Sequence, residues 1–255
     1  MNSLSIRLSG GMLKLAVDRR GNGRPLLLLH GGAGPASMQP LFDELDEFGL
    51  VLPTHPGFDA TERPAWMASI VDLAECYIAL LDELELRDVL VVGNSAGGWI
   101  AAEMAARQSS ALAGIILVDA VGLEPTESTG PIIDPRSMPL EELIKLSFAD
   151  PAKARPPSPD AANRMHTNQR VLMTYAGKPF MHDVTLPERL SHIKVPSLML
   201  WGRHDRIVTP EYGQEYALRI PGARFQMIDD AGHLPQIEQP GQTVQAIRNF
   251  CGTLS

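Results

Sequence analysis

The chain has 255 residues, 44% of them hydrophobic and 20% charged, with a formal net charge of −8 at pH 7. That length accommodates one large α/β domain around a sizeable core, and the acidic balance argues against nucleic acid and anionic membrane as partners. The two cysteines, Cys76 and Cys251, are too few for a disulfide framework and form no CxxC pair, so neither a structural metal nor a redox site is expected.

From the N-terminus, residues 5–9 and 13–19 read as an antiparallel pair turned at Gly10-Gly11. The first stretch has no long apolar core behind basic residues, so no signal peptide is expected, and no run is long enough to span a bilayer. A cytoplasmic, reducing setting follows as an expectation. Residues 25–29, 89–92 and 115–118 are apolar throughout, and 197–200 after its leading Ser197, which suits strands buried on both faces of a parallel sheet. Residues 224–228 alternate more and are expected near an edge. Between these runs lie helical patterns. Apolar residues recur at three-to-four spacing from Ile70 to Leu84, residues 96–107 are rich in alanine, a helix closes at Leu218 before Pro221-Gly222, and Val244, Ile247 and Phe250 mark a last one. Alternating strands and helices predict an α/β fold, a mostly parallel twisted sheet of eight strands with helices on both faces.

Residues 122–187 break this rhythm. They are rich in proline, carry methionine and contain no clear strand. Helical candidates at 140–148 and 161–175 are separated by Pro151 and by Pro156-Pro157-Ser158-Pro159. A structureless loop of this length is uncommon in a compact domain. The expectation is a core of residues 1–121 and 188–255 with a helical cap, residues 122–187, inserted over the end of the sheet.

Chemistry concentrates where an apolar strand stops. Val91-Val92-Gly93-Asn94-Ser95-Ala96-Gly97-Gly98-Trp99 places Ser95 in a GxSxG frame between a buried strand and an alanine-rich helix. The turn must be sharp enough that side chains at 93 and 97 would collide with neighbouring backbone. It lifts the hydroxyl clear and sets it at a helix N-terminus, the positive end of the helix dipole. A serine hydroxyl needs a base to become a nucleophile. His233, in Asp230-Ala231-Gly232-His233-Leu234, follows the last strand and lies at the same sheet edge as Ser95. The base needs a carboxylate. Asp205 follows the seventh strand and is preferred, because it gives the order Ser, Asp, His. Asp119, one strand earlier, is the rival and would otherwise cap a loop. Backbone donors for an oxyanion are expected from Ala96 N–H and from the glycine-rich run His30-Gly31-Gly32-Ala33-Gly34, with Gly32 first and Ala33 second.

Taken together, His30-Gly31-Gly32, His55-Pro56-Gly57-Phe58, Gly93-Asn94-Ser95-Ala96-Gly97-Gly98, Trp201-Gly202-Arg203-His204-Asp205 and Gly232-His233 resemble the α/β-hydrolase superfamily, over nearly the whole chain outside the cap. The resemblance implies the α/β-hydrolase fold, a triad of Ser95, Asp205 and His233, and no metal or organic cofactor. It implies a carboxylesterase acting through an acyl-enzyme on small, largely apolar esters. Asn94 also resembles the meta-cleavage product hydrolases, which cut carbon–carbon bonds. Leu234 departs from that group, which usually carries tryptophan after the histidine. A ligand receptor with a vestigial triad is the third reading. Met138, Phe148, Met173 and Phe180 of the cap, with Ala33, Asn94 and Leu234, are candidate substrate contacts. Leu143, Met165, Tyr175 and Met181 are further candidates, and methionine suits a broad substrate range. Arg164 and Arg170 are candidates for meeting a substrate carboxylate. The expected partners are a small-molecule ester and, for a homodimer, a second copy of the chain.

Overall fold

The computed structural model describes residues 2–154 and 158–254. Pro156 and Pro157 of the predicted separator therefore lie outside the described residues. The predicted hairpin forms from β1 (Asn2–Leu8) and β2 (Gly11–Arg20), antiparallel, with Leu8 opposite Gly11. β2 also pairs antiparallel with β4 (Gly49–Pro53). Beyond it β3 (Pro25–Leu29), β5 (Val89–Asn94), β6 (Leu112–Val118), β7 (Ser197–Gly202) and β8 (Arg224–Ile228) run parallel, in the order β1-β2-β4-β3-β5-β6-β7-β8. The eight-stranded, mostly parallel sheet matches the expected fold class. β4 has no counterpart among the sequence-predicted strands. It is only five residues long, opens on glycine and closes on proline, and so carries too little pattern to stand out as a strand.

The all-apolar strands are explained by their two faces. Leu27, Leu29, Val91, Ile115, Leu117 and Met199 pack into one core, against α2 (Ile70–Glu83), α3 (Ala96–Ala106) and α7 (Pro210–Leu218). Their neighbours Leu26, Leu28, Val92, Ile116, Val118 and Leu200 pack into a second core, against α1 (Gln39–Glu44) and α9 (Pro240–Cys251). Successive strand residues point to opposite faces, so a strand covered on both sides is apolar throughout. α2 begins at a reciprocal cap. Ser69 Oγ accepts the Asp72 N–H at 3.1 Å, and the Asp72 carboxylate accepts the Ser69 N–H at 2.9 Å.

Between β6 and β7 the described residues form α4 (Leu140–Ser147), α5 (Pro159–Ala176) and α6 (Leu186–Leu190), with no strand among them. The first two fall where helices were predicted. The segment enters and leaves at one point, where Gly122 N–H donates to Met181 O and Asp183 N–H donates to Gly122 O. α5 is tied to the loop after β4. Buried Asn168 exchanges two hydrogen bonds with Asp59, at 2.8 and 2.9 Å, and Tyr175 Oη donates to Pro56 O at 2.8 Å. The end of α4 is tied to the loops after β7 and β8, through Leu146 O from Arg206 N–H and Ser147 O from His233 N–H. The helices thus lie across the carboxyl ends of the strands.

Candidate active site

Ser95 stands at φ 55°, ψ −118°, between β5 and the first residue of α3. Only small neighbours permit this turn. A Cβ on Gly93 would lie 2.2 Å from Gly97 O, and one on Gly97 would lie 2.1 Å from Leu29 O. The strained backbone is held from both sides. Ser95 N–H donates to Val118 O at 2.9 Å, and Ser95 O accepts from Gly98 and Trp99 N–H. Ala96 opens α3, so its N–H has no acceptor one turn back and is available to a ligand.

His233 lies in the loop after β8, and its Nδ1 is 2.8 Å from Asp205 Oδ2. The carboxylate fixes the proton on Nδ1 and leaves the Nε2 lone pair free to take another. Asp205 is itself held, because its Oδ1 accepts the N–H groups of Ile207 at 2.7 Å and Val208 at 3.1 Å. The rival Asp119 is close, since one side-chain atom from each of Asp119, Asp205 and His233 falls within 4.8 Å of the others. Its Oδ1, however, accepts Gly202 N–H at 2.9 Å. Asp119 therefore ties the end of β6 to β7, rather than capping its own loop. Burial first, then the Asp205 charge, hold its carboxyl well above the usual carboxylate range.

Sequence reasoning missed Glu238, on the short helix α8 (Pro235–Glu238). Its buried carboxylate accepts three backbone N–H groups, those of Gly232 at 2.6 Å, Ala149 at 3.1 Å and Asp150 at 3.1 Å. One side chain thereby joins the histidine loop to the segment following α4. No local pattern marks it, because its partners lie 6, 89 and 88 positions away.

The glycine run after β3 is held by a buried pair of imidazoles. His30 and His55 stack with ring centroids 3.6 Å apart. His30 Nδ1–H donates to Gly31 O, and its Nε2 accepts His55 N–H at 3.0 Å. His55 Nε2–H donates to His30 O at 2.7 Å, and its Nδ1 accepts from Tyr77 Oη. These partners require both rings neutral, and burial agrees, pushing His30 down to about 4 and His55 well below its ordinary value. A Cβ on Gly31 would lie 2.9 Å from Ser95 Cβ, so the bare backbone of the run rests against the serine.

Gly32, Ala33, Ser95, His233 and Leu234 face one cavity of about 1030 Å³, its open mouth included. Phe148, Met173 and Phe180 line it, as do Leu143, Met165 and Met181. Other expectations for the wall fail. Met138 does not line the cavity, because the chain is extended there and Leu140, Leu143 and Ile144 of α4 supply that wall. Asn94 borders the cavity as expected, and its amide also donates to Val118 O at 3.2 Å and His233 O at 3.3 Å. Tyr175 is committed to Pro56 O, outside the cavity. Arg164 and Arg170 are exposed and do not reach it. Among the described residues, Arg136 is the one cationic side chain in the wall, and it is already paired with Asp134 through Nε at 2.9 Å and Nη2 at 2.5 Å. Ile132, Ile133, Ile144 and Leu172 also line the cavity. The two isoleucines of the proline-rich stretch had no periodicity to reveal them.

Comparison with known proteins identifies the family and its relatives. Residues 26–246 match the model of the alpha/beta hydrolase family. The chain is 25% identical to Lipase 1 of Psychrobacter immobilis, over 96% of this chain and 83% of that one. It is 27% identical to a 2-hydroxy-6-oxo-2,4-heptadienoate hydrolase of Pseudomonas putida, over 95% and 94% of the two chains. Among solved structures, a thermophilic esterase from Thermogutta terrifontis superposes with a TM-score of 0.70 at 25% identity, covering 100% of this chain and 99% of that one. No helix among the described residues is long and apolar enough to cross a membrane.

Proposed function

The chain belongs to the alpha/beta hydrolase family, and from that premise we propose that it is a serine carboxylesterase acting on small, largely apolar esters through an acyl-enzyme. The observation that carries this reading is the His233–Asp205 hydrogen bond of 2.8 Å, with the imidazole facing the same cavity as Ser95. His233 Nε2 takes the Ser95 proton as Oγ attacks the ester carbonyl, and the N–H groups of Ala96 and Gly32 hold the oxyanion. His233 then returns the proton to the leaving alcohol. Water, activated by the same imidazole, releases the acid and restores Ser95. Each step uses groups of the chain alone, so the reading calls for no cofactor.

Cavity polarity favours esters over carbon–carbon cleavage. The heptadienoate hydrolase relative acts on a carboxylate, by its name, and a carboxylate held in an apolar cavity needs a cationic partner. Among the described residues Arg136 is the one cation in the wall, and Asp134 already neutralises it through Nε and Nη2. A neutral ester needs no such partner. The apolar side chains of residues 122–187 then act as a cap that sets acyl-group preference.

The test is a panel of short-chain p-nitrophenyl esters, lactones and a meta-cleavage dienoate, assayed on wild type and Ser95→Ala. Ester turnover lost in Ser95→Ala supports the reading. Retained ester turnover in that variant sinks it, and faster turnover of the dienoate than of any ester transfers it to the carbon–carbon branch.

A further inference from the structure

Asp119 directly follows β6 and Asp205 lies in the loop after the adjacent parallel strand β7, and the two meet in the interior, 0% and 2% exposed. Their hydrogen bonds are unequal. The Asp205 carboxylate accepts two backbone N–H groups on Oδ1 and the His233 Nδ1–H on Oδ2. Asp119 accepts one backbone N–H on Oδ1, while its Oδ2 is buried with no N–H donor. Two carboxylates this close in a buried site do not both ionise. The shared proton belongs on the one whose charge is less well met, and that is Asp119. The titratable and charged groups around it are Asp205, His233 and Glu238, and the Glu238 carboxylate adds to the pressure to keep Asp119 neutral. An O–H on Oδ2 removes the orphaned atom and finds its acceptor in the Asp205 carboxylate.

We propose that Asp119 is a positioning residue, a neutral carboxylic acid that donates its O–H to the Asp205 carboxylate and so fixes that carboxylate against His233. The proton stays on Asp119 throughout the reaction. Asp205 then carries four hydrogen bonds from three separate places in the chain. Such a carboxylate has no rotational freedom left and holds its place against the imidazole. The activity arm of the test rests on the proposed esterase reading; the spectroscopic arm does not.

Infrared spectroscopy of the wild type at neutral pH is expected to show the C=O stretch of a protonated carboxylic acid, and Asp119→Asn to lose it. Asparagine supplies an N–H in place of the O–H, so Asp119→Asn keeps kcat within about tenfold, with KM and the acid limb of the pH profile unmoved. Asp119→Ala removes the donor and lowers kcat by a further ten- to hundredfold, roughly what a lost buried hydrogen bond to a charged group implies. KM again stays put, because Asp119 does not line the cavity. The proposal is overturned if the infrared band is missing. It is also overturned if Asn damages as much as Ala, if Asn shifts the acid limb to lower pH as loss of a real negative charge would, or if Ala turns over like wild type. Should Ala fail to fold, the band and the Asn variant decide. If Ser95→Ala retains activity, the esterase reading fails while the infrared result still decides where the proton sits.

Discussion

Asn94 donates its side-chain amide to the backbone carbonyl of His233, 3.3 Å away and 139 positions later in the chain. The same amide reaches Val118 O. The residue before the serine therefore pins the loop that carries the imidazole, and the serine turn and the base loop are held to a common frame.

Asn94→Ala should leave His233 O without its donor and Val118 O with only the Ser95 N–H, at a cost of roughly 1–3 kcal/mol. Thermal unfolding should fall by several degrees, and ester kcat should drop together with it. Asn94→Asp should be worse, because a carboxylate would then face two carbonyl oxygens with nothing to donate. An Asp variant as stable and active as wild type would show that this amide bond does not hold the loop.

Glu238 offers a second check on the same loop. Its two carboxylate oxygens accept three N–H groups. Glutamine has one acceptor oxygen and presents an NH2 to at least one of those donors. Glu238→Gln should therefore cost about 1–3 kcal/mol, seen by calorimetry as a Tm loss of roughly 2–4 °C per kcal/mol. An unchanged Tm would mean that this carboxylate does not carry the join between the His233 loop and the segment after α4.

Acid stability follows from the buried imidazoles. His30 is held neutral down to about pH 4, and His55 is also well below its ordinary 6.5. The unfolded chain takes up these protons near 6.5, while the folded chain does so only at about 4 for His30 and well below 6.5 for His55. Between those values the unfolded state binds more protons, so stability falls as pH falls, by about 1.4 kcal/mol per pH unit for each imidazole. Asp119 opposes this. Its folded-state proton persists above its ordinary 3.8, so its contribution shrinks as pH rises. Urea midpoints taken from pH 6.5 to 4 should decline in wild type and decline more steeply in Asp119→Asn, where the opposing group is gone. A midpoint flat across that window, or equal slopes in the two proteins, contradicts the assignment.

Much of this architecture is legible from local pattern. Runs such as residues 89–92 and 115–118 are apolar throughout because both faces of the sheet are covered, and that signature needs no knowledge of the neighbours. β4 escaped notice because five residues ending in Pro53 carry too little pattern. Met138 and Phe148 look alike as apolar residues of a proline-rich stretch, yet only Phe148 faces the cavity, since the direction of each side chain depends on how α4 lies over the sheet.

The sequence by itself determined the serine turn, because the whole GxSxG frame lies in one strand–turn–helix unit, where Gly97 O demands glycine at 93, although the Leu29 O that demands glycine at 97 belongs to β3. It also determined that His30, His233, Asp119 and Asp205 arrive at one edge, since each follows the carboxyl end of a parallel strand. Only the tertiary structure decided which carboxylate touches the imidazole, what Asn94 holds, and that Glu238 matters. Those outcomes turn on distances of 2.6–3.3 Å between residues up to 139 positions apart. Such distances are set by strand register and loop packing, to which no residue's immediate neighbours in the chain are a guide.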